Sequence, residues 1–352
     1  MNNNHLIIMA GGIGSRFWPM STPEKPKQFI DVLGVGKSLL QLTAERFKDI
    51  CPMEQVWVVT AGKYRDMVKE QLPAIPDSNI LLEPCMRNTA PCIAYVAWKI
   101  KKKFPEANLV ISPSDHIVTD IAEFSRVVCK GLEFTAGGDR ILTLGMHPTR
   151  PETGYGYIKE NKQMTGIAPE IHEVEGFKEK PDRDTACRYL AEGGYTWNSG
   201  IFLWTVATVE KAFRQYQPDM AGIFDEIESC FYTPEEQACI DARFPGCEKI
   251  SIDYAIMERA KNIYVFPADF GWSDLGTWGS LFEISPKDSG NNAVVGNAVK
   301  MVECRDCVVH VSSAGKMVIQ GLEGYIVAEQ DGAFLVCKKE EEQRIKDFTA
   351  GL

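Results

Sequence analysis

This chain of 352 residues has no long hydrophobic run. Nothing in it approaches the ~20 consecutive apolar residues of a membrane-crossing helix, and Met1-Asn2-Asn3-Asn4-His5 lacks the basic and apolar regions of a secretory leader. A cytoplasmic setting with no membrane partner is the expectation. The chain also has no excess of basic residues: 38 Lys and Arg stand against 48 Asp and Glu, for a formal charge of -10. That excludes a protein gripping nucleic acid through a basic face, while leaving room for a small anion in a local positive cleft. Paired cysteine motifs are missing too. The 11 cysteines are scattered through apolar segments, Cys92, Cys129 and Cys337 among them, which predicts buried thiols in a reducing compartment rather than a disulfide frame. Cys304-Arg305-Asp306-Cys307 is a lone C-x-x-C; a structural zinc needs four ligands, so two strand-end thiols are expected there. No segment reads as a flexible linker, and the length prior is about two domains.

What the chain does have is a glycine loop with cations behind it. The apolar run Ile7-Ile8-Met9-Ala10 breaks into Gly11-Gly12-Ile13-Gly14-Ser15-Arg16, and Pro26-Lys27-Gln28-Phe29 follows. Glycines let backbone N–H groups approach phosphate oxygens with no Cβ in the way. Arginine forks two hydrogen bonds onto phosphate and lysine adds a compact charge. Ala10, Gly11, Gly12, Gly14, Ser15, Arg16 and Lys27 therefore read as a polyphosphate cradle. Two familiar loops fail on the residues. The dinucleotide pattern G-x-G-x-x-G would need its third glycine at Phe17, and no Lys-Ser or Lys-Thr stands at P-loop spacing.

Strand-like runs at 5–10, 56–60, 80–83, 109–112 and 141–145 alternate with helical spacing at 63–71, 89–104 and 121–135. Thr89 reads as the N-cap of the second helix, with Pro91 in its first turn. Such alternation predicts an α/β, Rossmann-like sheet, mainly parallel, with helices on both faces and ligands at the carboxyl ends of its strands. The stretch from 150 to 290 is mixed, with turn-rich segments at 152–157 and 193–200. Beyond Asn291, short apolar groups at Val308, 317–319, 326–327 and 335–336 recur every eight to nine residues, predicting a small all-β appendage closed by a charged helix at 340–348. The expected division is a catalytic domain over 1–288 and a tail over 289–352.

Two acids lie far apart in sequence but in similar settings. Ser112-Pro113-Ser114-Asp115-His116 closes a predicted strand, and Gly271-Trp272-Ser273-Asp274-Leu275-Gly276 places a second carboxylate in a tight aromatic turn. Mg²⁺ takes one or two carboxylates and completes its octahedron with phosphate oxygens and water, so Asp115 and Asp274 are the candidate metal ligands. His116 reads as a buttress for that loop rather than a general base.

Gly11-Gly12-Ile13-Gly14-Ser15-Arg16-Phe17-Trp18-Pro19 with Pro26-Lys27-Gln28-Phe29 resembles the signature of the sugar-nucleotide pyrophosphorylases. Glu83-Pro84-Cys85-Met86-Arg87-Asn88-Thr89-Ala90-Pro91 resembles the base-side motif of the branch that joins guanine nucleotides to mannose 1-phosphate. Gly154-Tyr155-Gly156-Tyr157, Glu179-Lys180-Pro181 and Trp197-Asn198-Ser199-Gly200-Ile201-Phe202 match its sugar-side motifs in order, and Ser251-Ile252-Asp253-Tyr254-Ala255-Ile256-Met257-Glu258 matches a further block in which Asp253 would lie near the sugar. The resemblance spans about residues 5 to 285 and implies GMP transfer from GTP to mannose 1-phosphate, giving GDP-mannose and pyrophosphate, with Mg²⁺ on Asp115 and Asp274. It implies that Arg16, Lys27, Asp115, Lys180 and Asp274 carry the catalysis. Glu83, Arg87, Asn88 and Thr89 would meet the base, and Gly156, Glu179, Lys180, Asn198 and Asp253 the sugar. It further implies a short left-handed β-helix for the tail. Longer members add an isomerase domain; this chain ends at Leu352, so no isomerase activity is expected. A different sugar or base, or a silent sugar-nucleotide-binding subunit, are the alternatives left open. A homodimer is entertained, the sequence alone not fixing the assembly.

Overall fold

The computed structural model describes residues 3–12, 14–164, 168–312 and 316–351; Met1, Asn2, Ile13 and Leu352 lie outside them, as do the side chains of Ser15, Lys162, Gln163 and Met164. The chain divides into two compact units, each assembled from separate stretches: residues 1–11, 44–113 and 118–272 in the first, and 12–43, 114–117 and 273–352 in the second.

The first unit is built on one mixed sheet. Among the described residues its strands lie in the order Ile80–Glu83, Val56–Ala61, Asn4–Met9, Asn108–Pro113, Tyr195–Thr205, Ile141–Met146, Ile263–Ala268, His172–Lys178 and Tyr157–Met164. Neighbours are parallel except where Tyr195–Thr205 and His172–Lys178 run against the rest. The central strands are buried on both faces, which is why their sequences read as unbroken apolar runs. Alternation along Tyr195–Thr205 places a layer on each face. Phe202 and Trp204 share a core with Trp98 of helix Thr89–Lys103 and with Phe213, whereas Leu203 between them meets Gly131 of helix Ile121–Ala136. A Cβ on Gly131 would stand 2.9 Å from Leu142 and 3.0 Å from Leu203, so the glycine lets the helix and these leucines pack closely.

Several local expectations need correction. Asn88, not Thr89, caps the helix that begins at Thr89; its side chain accepts from the Thr89 N–H. The segment 193–200 is not a loop: Gly193 and Gly194 turn, and Tyr195 onward, Gly200 at φ 70° included, lies in the long strand Tyr195–Thr205. Long-range pairing there overrides the local turn signal of Asn-Ser-Gly. Cys230 and Cys239 are joined in a disulfide, a pairing made by the turn that precedes helix Glu236–Arg243, and Cys129 is exposed. Cys92 and Cys337 are buried thiols, as expected.

In the second unit, Phe17, Ile30, Leu39, Leu275, Trp278 and Leu281 pack with Val308, Ile326 and Leu335 in one core. The tail carries two further sheets. Strands Ala293–Val295, Val308–Val311 and Tyr325–Gln330 pair in parallel, with Ala333–Lys338 antiparallel at the end; Val299–Val302 pairs in parallel with Met317–Gln320. Cys304 and Cys307 sit between these strands, buried, with their thiols donating to the carbonyls of Val302 and Arg305. The charged terminal helix shrinks to a 3₁₀ run, Lys339–Arg344, and one α turn, Ile345–Phe348. Of this stretch only Ile345 is anchored in the core.

Candidate active site

The clearest constellation lies in the second unit around Lys27. Pro26 precedes a single 3₁₀ turn, Lys27–Phe29, whose side chains all point into the unit. Gly14 makes this possible: it sits at a left-handed φ of 63°, and a Cβ there would stand 2.9 Å from the Lys27 side chain. The buried Lys27 ammonium reaches Asp115 Oδ2 at 2.9 Å, the Leu275 carbonyl at 2.8 Å and the Asp274 carbonyl at 3.2 Å. Three sequence-distant segments thus converge on one cation. Burial alone would push the Asp115 carboxyl up, but Lys27 and the neighbouring His116 outweigh it and hold the group below the ordinary carboxylate range.

Asp274 occupies a constrained turn. Leu275, fully buried, adopts φ 47°, and Asp274 Oδ1 accepts from the Gly276 N–H at 3.0 Å. A left-handed non-glycine residue persists only where its surroundings over-determine it, and the Lys27 bonds to both carbonyls do so here. The donor set fits a hard divalent cation: the Asp115 carboxylate and two backbone oxygens already gather around positive charge, and the Asp274 carboxylate belongs to the same turn. Among the described residues no cluster of three acidic, His or Cys side chains could hold a metal ion. Arg16 is exposed and has no ion pair among the described residues, so its guanidinium is available to a ligand.

In the first unit, the carboxyl ends of strands Asn4–Met9 and Ile80–Glu83 bring the first glycine and Glu83 together. The Ala10 carbonyl accepts from Thr60, and a Cβ on Gly11 would stand 3.5 Å from Glu83 Oε2. Burial pushes the Glu83 carboxyl up to about 8, and its Oε1 has no hydrogen-bond partner among the described residues. Arg87 donates to the Pro245 carbonyl, while its Nε is buried and unpartnered among the described residues. Asn88 and Thr89 are engaged structurally. Asn88 is the helix cap, and Thr89 Oγ1 accepts from the Ile252 N–H at 2.8 Å.

The predicted sugar-side residues also gather in the first unit. Asn198 stands where strand pairing shifts register opposite Gly145, and its amide makes three hydrogen bonds. Its oxygen accepts from Thr143 and the Gly200 N–H, and its nitrogen donates to Asp253 at 3.0 Å. Glu179 is buried and accepts from the Lys180 ammonium. At Gly156 a Cβ would stand 2.7 Å from Glu179 Oε2, so the glycine leaves room for that carboxylate. Burial, and the nearby Glu179, push the Asp253 carboxyl up to about 7. Two members escaped the sequence reading. Thr143 orients Asn198, and Glu258 accepts from the Glu179 N–H at 3.2 Å. Thr143 carries no motif signal and is brought in by strand register; Glu258 closes the matching block Ser251–Glu258 without a role assigned to it, and a helical irregularity turns it toward Glu179.

Residues 5–291 match the nucleotidyl transferase family. The mannose-1-phosphate guanylyltransferase of Escherichia coli is 34% identical over 352 aligned residues, covering 98% of this chain and 75% of that protein. The xanthan biosynthesis protein XanB of Xanthomonas campestris pv. campestris is 37% identical, covering 98% and 72%. A crystal structure described as mannose-1-phosphate geranyltransferase from Thermus thermophilus superimposes with a TM-score of 0.88 at 29% identity, covering 98% of both chains. No described helix is long and apolar enough to cross a membrane. Motif order, the fold and the convergence on Lys27 agree with the match: the chain belongs to the nucleotidyl transferase family.

Proposed function

We propose that this protein transfers GMP from GTP to α-D-mannose 1-phosphate, giving GDP-mannose and pyrophosphate. The observation that carries it is the buried Lys27 ammonium bonded to Asp115 and to the Asp274 turn, on a chain 34% identical to an E. coli enzyme of that name. A coupled pyrophosphate-release assay with GTP and mannose 1-phosphate tests it. A panel of other nucleoside triphosphates and hexose 1-phosphates separates it from its nearest alternatives.

An oxygen of the sugar phosphate attacks the α-phosphorus in line, and the bond to the bridging oxygen of the leaving pyrophosphate breaks. The nucleophile is already an anion, so no general base is needed. The protein's task is to bring two anions together and neutralise the charge that spreads over the transferring group. Arg16 grips the leaving phosphates, and Lys27 exchanges carbonyl partners for triphosphate oxygens. Asp115 and Asp274 are the residues that would hold Mg²⁺, which supplies Lewis-acid stabilisation of phosphate charge when bound. Lys180 orients the sugar phosphate, while Glu179, Gly156, Asn198 and Asp253 shape the sugar side.

Lys180→Ala is expected to lower kcat/KM for mannose 1-phosphate by roughly 10- to 200-fold, the worth of one charge-assisted hydrogen bond, with GTP affinity nearly intact. An equal loss in GTP affinity would assign the lysine to the other substrate. Glu83 gives a pH prediction. Guanine N–H donors need the carboxylate, and in the free protein that carboxyl is held protonated up to about 8. Binding is therefore favoured as pH rises: GTP affinity should climb toward about tenfold per unit below that value and level off above it. Titration calorimetry with Glu83→Gln as control separates this slope from titration of the ligand itself. Identical slopes in both proteins would remove Glu83 from the base site.

The functional division we adopt is 1–288 for catalysis and 289–352 for the tail; the family match to residues 5–291 supports it. The compact units cut across it because residues 12–43 and 114–117 pack with the tail's core. A left-handed β-helix is our reading of the tail, supported by parallel partners that step 18 residues along the chain, Val308 to Ile326 and Val299 to Met317. A cytoplasmic setting is supported by the free thiols, with the Cys230–Cys239 link pointing the other way. A homodimer is the assembly to test by light scattering.

A further inference from the structure

The block Ser251–Glu258 contains a feature that the reaction scheme above leaves unused. Its residues Asp253–Met257 form a π turn rather than an α-helix, closed by the Glu258 N–H donating to the Asp253 carbonyl at 2.9 Å. In an α-helix, residues five apart sit about 140° apart around the axis and face different ways. The wider π turn reduces that angle, so Asp253 and Glu258 reach the same neighbourhood. Asp253 accepts from Asn198 at 3.0 Å, and Glu258 Oε1 accepts from the backbone N–H of Glu179 at 3.2 Å.

That N–H is at a critical place. The next residue, Lys180, adopts φ 44°, a left-handed conformation that disfavours a side chain. This conformation folds the Lys180 ammonium back onto the Glu179 carboxylate, whose other oxygen fills the space left open at Gly156. A carboxylate fixing the amide just before the strained residue holds the turn and, with it, both side chains. Pro181 and the N-cap of helix Arg183–Glu192, where Asp182 accepts from the Thr185 N–H, fix the far side.

We infer that Glu258 is a positioning residue for the sugar phosphate: its carboxylate, brought round by the π turn, sets the Glu179–Lys180 turn and thereby selectivity on the sugar side. The functional part rests on the proposed reaction; the structural part does not. Glu258→Ala removes the acceptor, whereas Glu258→Gln retains an oxygen that can accept the same bond. In the full-length protein, amide hydrogen exchange at Glu179 should accelerate about 10-fold or more in Glu258→Ala and stay near wild type in Glu258→Gln. In steady-state assays, KM for mannose 1-phosphate should rise roughly 10-fold in Glu258→Ala, with KM for GTP unchanged and with recovery in Glu258→Gln. Exchange at Glu179 that is indifferent to both variants overturns the device, whatever the substrate proves to be. If wild-type enzyme turns over mannose 1-phosphate, an unaltered KM in Glu258→Ala, or a Gln variant as impaired as the Ala variant, overturns the positioning role. Wild-type enzyme inert toward mannose 1-phosphate would count against the reaction itself, leaving the exchange measurement to decide the turn.

Discussion

Asp274→Asn is expected to lower kcat by roughly 10²-fold or more while leaving the fold nearly intact. Asparagine keeps the shape and an oxygen able to accept from the Gly276 N–H, as Asp274 Oδ1 does at 3.0 Å, so the turn survives. What it loses is the negative charge proposed to hold Mg²⁺ with Asp115. The apparent Mg²⁺ requirement should rise in Asp274→Asn and in Asp115→Asn alike. The double variant should be little worse than either single one, because residues acting as one unit are not additive. Losses that simply multiply, or full activity of Asp274→Asn at low Mg²⁺, would defeat the shared-metal assignment. Metal dependence of kcat across the three proteins is the measurement.

Lys27→Ala should cost as much or more, and in two currencies. The ammonium ties Asp115 to both carbonyls of the 274–275 turn. Losing a donor aimed at developing phosphate charge lowers kcat/KM by about 10²–10³-fold. Removing one member of a buried pair costs about 3–5 kcal/mol, and since Asp115 keeps 26% of its side-chain surface, roughly half of that is expected. The pH dependence follows from the Asp115 carboxyl, held below its ordinary value largely by Lys27 against the effect of burial. A depressed carboxyl contributes stability that is fully present above the unfolded value of 3.8 and lost as pH falls through the folded one. Without Lys27 that contribution disappears, so acid unfolding should begin at higher pH in the variant. Wild-type stability together with a rate loss under about fivefold would show that Lys27 serves neither purpose.

Some of this was legible before any coordinate. Apolar strand runs are buried on both faces, and such strands announce themselves by composition alone, so Asn4–Met9, Ile80–Glu83 and Asn108–Pro113 fell where their residues predicted. Tyr195–Thr205 did not. Its Asn-Ser-Gly reads as a turn, and only pairing with strands at 108, 141 and 157 holds it extended.

The site shows the same split. Residue type and order made Arg16, Lys27, Asp115 and Asp274 candidates, because phosphate and hard-cation chemistry demand particular charges, and the family resemblance added Lys180. Which groups meet was decided by the tertiary structure alone. Asp115 and the Asp274 turn share Lys27 because segments far apart in sequence close around one buried ammonium. Gly156 serves the Glu179 carboxylate, Asn88 and Thr89 are engaged in starting a helix, and Glu258 enters through a π turn that no local pattern signals. Chemistry follows side-chain identity, which the sequence states outright. Geometry follows long-range register and packing, whose energies exist only once distant segments are in contact.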